Sequence, residues 1–156
     1  MDKLFETLKK YNLTISTAES CTGGMIASAI TDVSGSSGFF GTGVVTYSNE
    51  AKMNIIGVKK ETLNQYGAVS EQTAKQMAEG VLKLADSDIS VAVTGIAGPT
   101  GGTAEKPVGL VYIAVSGNHG TFAYKNDFDG NRDEVRRQTV HRAFELVYDY
   151  ICKFYG

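Results

Sequence analysis

Leu13 to Ala18 alternates and carries two threonines and an isoleucine, and it runs into a polar turn, Glu19-Ser20-Cys21-Thr22-Gly23-Gly24. Beyond the turn, Ile26, Ala27, Ile30 and Val33 recur at helical spacing. A strand that passes through a glycine turn straight into a helix restricts the fold, because the helix must then pack back on a sheet. Such a turn aims unpaired backbone N–H groups beyond the carboxyl end of the strand, where anions are favoured. It also raises three candidate nucleophiles, Ser20, Cys21 and Thr22. The same residues equally suit a plain structural turn, with a capping hydroxyl and a glycine that permits close packing.

The pattern repeats along the chain. Leu4, Leu8 and Tyr11 line one face of a short first helix. Thr42 to Ser48 is strand-like, and Asn49-Glu50-Ala51-Lys52 opens a helix after it, with Ser48 or Asn49 suited to the N-cap and Glu50 to the first turn. Gly57 and Gly67 bracket a further helical piece, and Ser70 caps a helix with Ala74, Met77, Ala78, Val81, Leu82 and Ala85 on one stripe. Ile89 to Thr94 has the β-branched composition of a buried strand, and Val108 to Val115 is the next one. Gly117-Asn118-His119-Gly120 signals a hairpin into a strand from Thr121, and Arg132 to Phe154 reads as one long helix. Strands mostly alternate with helices before one hairpin. This predicts a single domain over 1–156, a three-layer α/β/α arrangement with a mixed, mostly parallel sheet and one antiparallel hairpin.

Composition excludes several functions. With 42% hydrophobic and 21% charged residues over 156 positions, the chain has the makings of a globular core and is not a disordered one. A net charge of −2 without a lysine–arginine cluster argues against a nucleic-acid surface. No segment is long and apolar enough to span a membrane, and the acid-bearing N-terminus is no signal peptide. Two cysteines, Cys21 and Cys152, are too few for a disulfide framework, and a cytoplasmic protein is expected.

Three strand ends, at Ala18, Tyr47 and Thr94, deliver polar or glycine-rich sequence, and one crevice built from all three is the economical reading. There is no Gly-x4-Gly-Lys-Ser/Thr run, and Gly41-Thr42-Gly43 meets Thr46 where a dinucleotide fingerprint needs a third glycine. His119 and His141 fall on a turn and on a polar helix face, so a serine–histidine triad is not expected, nor is any metal or cofactor. A nucleophilic Ser20 would then need another base. Lys52 is the best-placed lysine, and Tyr47 could hydrogen-bond both groups and pass the proton. Alternatively Lys52 is a solvated surface lysine and Tyr47 a core aromatic. Thr94 leads into a loop whose glycines Gly95, Gly98, Gly101 and Gly102 could bring backbone N–H groups to a phosphate or an oxyanion. Arg132 and Arg136 sit near a helix N-terminus, where the dipole disfavours cations. A clamped phosphate would explain them, as would ion pairs with Asp133 or Glu134.

Taken together and in order, Ala18 to Gly24, Val45 to Lys52, Gly67 to Ser70, Thr94 to Gly102 with Lys106-Pro107-Val108-Gly109, and Gly130-Asn131-Arg132 with Val135-Arg136 resemble the C-terminal domain of the CinA (competence/damage-inducible) family. The resemblance covers nearly the whole chain and looks like the stand-alone form, without the molybdopterin-binding-like domain of longer members. Asn131 departs from the aspartate common at that position. The resemblance implies hydrolysis of the carboxamide of nicotinamide mononucleotide to nicotinate mononucleotide and ammonia. It places the family's serine, tyrosine and lysine on Ser20, Tyr47 and Lys52, with Thr22, Gly23, Arg132 and Arg136 as candidates for the ribose-phosphate end. It also implies a homo-oligomer, a dimer or larger. A non-catalytic nucleotide-binding module linked to competence or DNA damage is the alternative.

Overall fold

The computed structural model describes residues 2–156. Five strands form one sheet in the order β2-β1-β3-β4-β5, where β1 is Ile15–Glu19, β2 Phe40–Val45, β3 Ile89–Gly95, β4 Leu110–Gly117 and β5 Gly120–Asp127. The pairs β1–β2 and β1–β3 are parallel, and β3–β4 and β4–β5 are antiparallel. Four strands therefore run one way and β4 alone opposes them.

The expected mixed α/β sheet is present, with one addition. The glycine-rich loop after β3 does not cross the sheet; it folds back so that β4 pairs directly with β3. Its neck is closed by Ile96 N–H donating to the Leu110 carbonyl and Gly109 N–H donating to the Ile96 carbonyl.

Strand alternation sorts the two faces. Ile15, Ile89, Val91, Val93, Val111, Ile113 and Val115 point to one side, where α1 (Asp2–Lys10), α2 (Met25–Thr31) and α6 (Arg132–Tyr155) cover them. The other side carries small residues. Ala18, Ala92, Ala114 and Ala123 lie in register across four strands, and beside them Ser16, Ser90, Ser116 and Thr121 form a hydroxyl row. This flat face lets α5 (Glu71–Ala85) lie close, and the Ser90 hydroxyl donates to the Ala78 carbonyl of that helix at 2.6 Å. The helices α3 (Asn49–Ile56) and α4 (Lys60–Tyr66) complete this layer through Ile56 and Leu63. Gly80 in α5 is required here. A Cβ at this position would collide with the Ile56 carbonyl, so the glycine sets how closely α3 and α5 approach.

Local signals fix the helix starts as expected: the Ser48 hydroxyl accepts from Ala51 N–H and that of Ser70 from Thr73 N–H. Asn131 caps α6 in a reciprocal capping box with Glu134, a task at which asparagine and aspartate are equivalent. The departure from the family pattern at this position thus leaves the helix start intact. β2 stops at Val45, short of the expected Ser48, because the carbonyls of Thr46 and Tyr47 turn to Lys52 instead of to a neighbouring strand.

Candidate active site

Lys52 is the largest side chain that is fully buried, at 1% exposure. It sits in the first turn of α3, and its Nζ lies 2.8 Å from the Thr46 carbonyl, 3.2 Å from the Tyr47 carbonyl and 3.1 Å from Ser20 Oγ. Among the described residues no carboxylate pairs with it. Burial pushes the amine below its ordinary value of 10.5, and the neighbouring Cys21 acts in the opposite sense. All three contacts are to oxygen, and burial favours the deprotonated form, in which two N–H groups meet the two carbonyls and the lone pair is left for the Ser20 hydroxyl proton. Lys52 is thus no solvated surface lysine, and Tyr47, 65% exposed, is no core aromatic.

The turn after β1 chooses among the three candidate nucleophiles. The Thr22 hydroxyl donates to Glu19 Oε1 at 2.6 Å and is fully buried. The Cys21 thiol is pushed up to about 12, chiefly by burial, and stays protonated. Ser20 alone faces a base.

Glu19 was not singled out by sequence, although an acid at the carboxyl end of a buried strand is a signal in itself. At 0% exposure its carboxylate accepts from Thr22 Oγ1, from Ile26 N–H at 2.8 Å and from Ala27 N–H at 3.0 Å. It occupies the positive end of α2 and anchors the turn that holds Ser20.

A family model, the CinA C-terminal domain, matches residues 1–151. The chain belongs to the CinA C-terminal domain family. A putative competence-damage inducible protein of Acetivibrio thermocellus is 57% identical over 145 residues, which are 93% of this chain and 35% of that one. A CinA-like protein of Kosmotoga olearia is 54% identical over 140 residues, 90% of this chain and 34% of that protein. The chain thus spans about a third of the length of these relatives. Among solved structures, a competence/damage inducible protein of Agrobacterium tumefaciens superposes with TM-score 0.89 at 46% identity, covering 94% of this chain and 92% of that one. One from Klebsiella pneumoniae superposes with TM-score 0.95 at 36% identity, covering 98% and 95%.

In this CinA-family chain a pocket of about 210 Å³ opens over the Ser20–Lys52 contact. Ser20, Tyr47, Lys52, Thr94, Gly95 and Arg132 line it, as the three-strand-end crevice predicts. Tyr47 gives Lys52 its carbonyl, lines the pocket and is largely exposed. Thr94 donates its hydroxyl to the Ala68 carbonyl at 2.8 Å, which brings Ala68 and Val69 in as a wall; their segment carries part of the family resemblance, but the sequence marks neither as a candidate site residue. Asn49 is a further lining residue not foreseen.

Thr22, Gly23, Gly98, Gly101, Gly102 and Arg136 do not line the pocket. Thr22 lies beneath it on Glu19, and Gly23 packs against the Arg136 guanidinium. Gly95, Gly98 and Gly102 have a packing role: a Cβ at Gly102 would stand 2.7 Å from Val108 N, and one at Gly95 would stand 2.7 Å from the Leu110 carbonyl. The Gly98 carbonyl accepts from Arg132 Nη1 at 2.9 Å and holds that arginine at the pocket. Neither Arg132 nor Arg136 takes Asp133 or Glu134 as an ion-pair partner among the described residues; Asp133 pairs with Arg137.

Proposed function

We propose that this chain hydrolyses the carboxamide of nicotinamide mononucleotide, giving nicotinate mononucleotide and ammonia. The observation that carries this reading is the buried Lys52 amine, without a carboxylate partner among the described residues, in contact with Ser20 Oγ at the floor of an open pocket. Burial favours the neutral form of a lysine, which is a general base, and a serine hydroxyl at hydrogen-bond distance is the group it activates.

Lys52 takes the Ser20 proton directly as Oγ attacks the carboxamide carbon. The tetrahedral intermediate collapses by breaking the C–N bond, and the Lys52 ammonium returns the proton to the departing ammonia. Water then attacks the Ser20 ester with Lys52 again as base, releasing the carboxylate product and restoring the serine. The carbonyls of Thr46 and Tyr47 aim the amine throughout. Backbone N–H groups of the Ser20 turn serve the oxyanion. Arg132, held by the Gly98 carbonyl with its remaining N–H groups available, meets the phosphate, and Tyr47 lines the pocket.

The test is ammonia release from nicotinamide mononucleotide by wild type, Ser20→Ala and Lys52→Ala, without added metal. Turnover by wild type alone supports the reading. Turnover by pure Ser20→Ala rejects the nucleophile, and silence from all three with tight mononucleotide binding identifies a nucleotide-binding module instead.

A further inference from the structure

Arg136 is tied to main chain and, among the described residues, not to any acid. Its Nε donates to the Cys21 carbonyl at 3.1 Å and its Nη2 to the Thr22 carbonyl at 3.0 Å. These are the two peptide carbonyls that follow the Ser20 peptide, and the arginine reaches them from α6, more than 110 residues away. It stands behind the turn, outside the pocket. A cation near a helix N-terminus opposes the helix dipole, so this placement calls for a compensating role.

Peptide geometry supplies one. In a trans peptide the C=O and N–H point in opposite directions. Holding the Cys21 carbonyl toward Arg136 therefore turns the Thr22 N–H away from it. Gly23 N–H donates to the Ser20 carbonyl, which fixes the peptide that carries the Cys21 N–H. Among the described residues the Thr22 N–H finds no acceptor and the Cys21 N–H meets only its own sulfur, although both residues are buried. An unpartnered donor on a buried residue such as Thr22 calls for an explanation. Glu19 grips the same turn from beneath through Thr22 Oγ1 and the first N–H groups of α2. A cation bound to a peptide oxygen also polarises that peptide and makes its N–H a stronger donor.

We propose that Arg136 is a positioning residue: by holding the Cys21 and Thr22 carbonyls it aims and strengthens the N–H groups of this turn as donors to the oxyanion formed on attack by Ser20. This inference rests on Ser20 being the nucleophile and replaces a phosphate-binding role for Arg136.

Two readouts in wild type, Arg136→Gln and Arg136→Lys test it: steady-state hydrolysis of nicotinamide mononucleotide and of its phosphate-free riboside, and Ser20 phosphonylation by a fluorophosphonate, followed by intact mass with Ser20→Ala as blank. Arg136→Gln lowers kcat about 10- to 100-fold, somewhat less than loss of a whole oxyanion donor. The factor is the same for both amides, KM changes little, and phosphonylation slows in parallel. Arg136→Lys, which keeps the charge, recovers part of each rate. This variant alone decides the matter if Arg136→Gln does not fold. A rise in KM confined to the phosphate-bearing substrate overturns the proposal, as do unchanged kcat and phosphonylation. If wild type cleaves neither amide while Ser20 phosphonylation depends on Arg136, the amidohydrolase reading falls and the positioning role stands. A wild-type Ser20 that resists phosphonylation overturns both.

Discussion

Lys52 Nζ and Ser20 Oγ, 32 residues apart in the chain, lie 3.1 Å from each other at the junction of α3 with the end of β1. The contact exists because β1 and β2 are parallel neighbours in register, Glu19 opposite Val45, so both chains leave the sheet side by side. Thr46 N–H continues the ladder to the Glu19 carbonyl, after which one chain becomes the serine turn and the other the first turn of α3. The base and nucleophile are thus set by sheet register, and changes that disturb this junction should affect activity before they affect the rest of the fold.

Lys52 should leave a signature in both activity and stability. Its amine is held below 10.5, so kcat/KM climbs with pH to a plateau with a midpoint below that value. Between the lowered value in the fold and the ordinary one, Lys52 is neutral in the folded chain and protonated in the unfolded chain. The unfolded state then binds more protons, and stability rises with pH through that window. From this one group the slope is at most about 1.4 kcal/mol per pH unit. Urea unfolding of wild type and Lys52→Met over this range measures it, since other groups cancel in the difference. A flat difference means the amine is protonated in the fold and rejects the general base.

Cys21 and Cys152 should separate under alkylation. Cys152 is exposed, whereas Cys21 is buried with its thiol pushed up to about 12. Iodoacetamide at mildly alkaline pH should add one group, on Cys152, with ammonia release unchanged; peptide mass mapping reads the site. Modification of Cys21 in the folded protein would contradict the protonated, buried thiol and reopen the choice of nucleophile.

Arg132 tests the ligand end of the proposed reaction. A charge-assisted hydrogen bond is worth about 1.5–3 kcal/mol. Arg132→Ala should therefore raise KM for nicotinamide mononucleotide about 10- to 100-fold. Turnover of free nicotinamide should not change. An equal loss on both substrates would remove Arg132 from the phosphate.

Gly80→Ala probes the packing that carries Lys52. The added methyl meets the Ile56 carbonyl, at the far end of the helix that begins beside Lys52. Overpacking of this kind costs about 1–3 kcal/mol. Thermal unfolding should show a lowered midpoint, and the displaced α3 should reduce ammonia release as well. Full activity at wild-type stability would show that α3 does not depend on this close approach.

Much of the architecture is legible in the chain because its signals are local. The strand–turn–helix at Leu13–Val33, the serine caps at 48 and 70, and the start of α6 each depend on residues within one or two turns. The return of β4 beside β3 was not legible, since a glycine-rich loop can cross a sheet or fold back, and the closing bonds at Ile96, Gly109 and Leu110 join segments that carry no mutual signature. The two arginines illustrate the same limit. Arg132 and Arg136 share a helix face by spacing, yet one stands at the pocket and the other behind the serine turn.

Sequence by itself determined the alternation of strands and helices, the polar turn at Ser20 and the short set of groups able to do chemistry, because periodicity, capping and residue type are properties of neighbouring residues. Only the tertiary structure decided that Lys52 is buried without a counter-charge among the described residues, that Glu19 and Arg136 grip the turn from two sides, and that Gly95, Gly98 and Gly102 serve close packing. Burial, and with it the direction of a pKa, depends on what distant segments exclude from water. That is fixed when the sheet closes and its two helical layers pack against it.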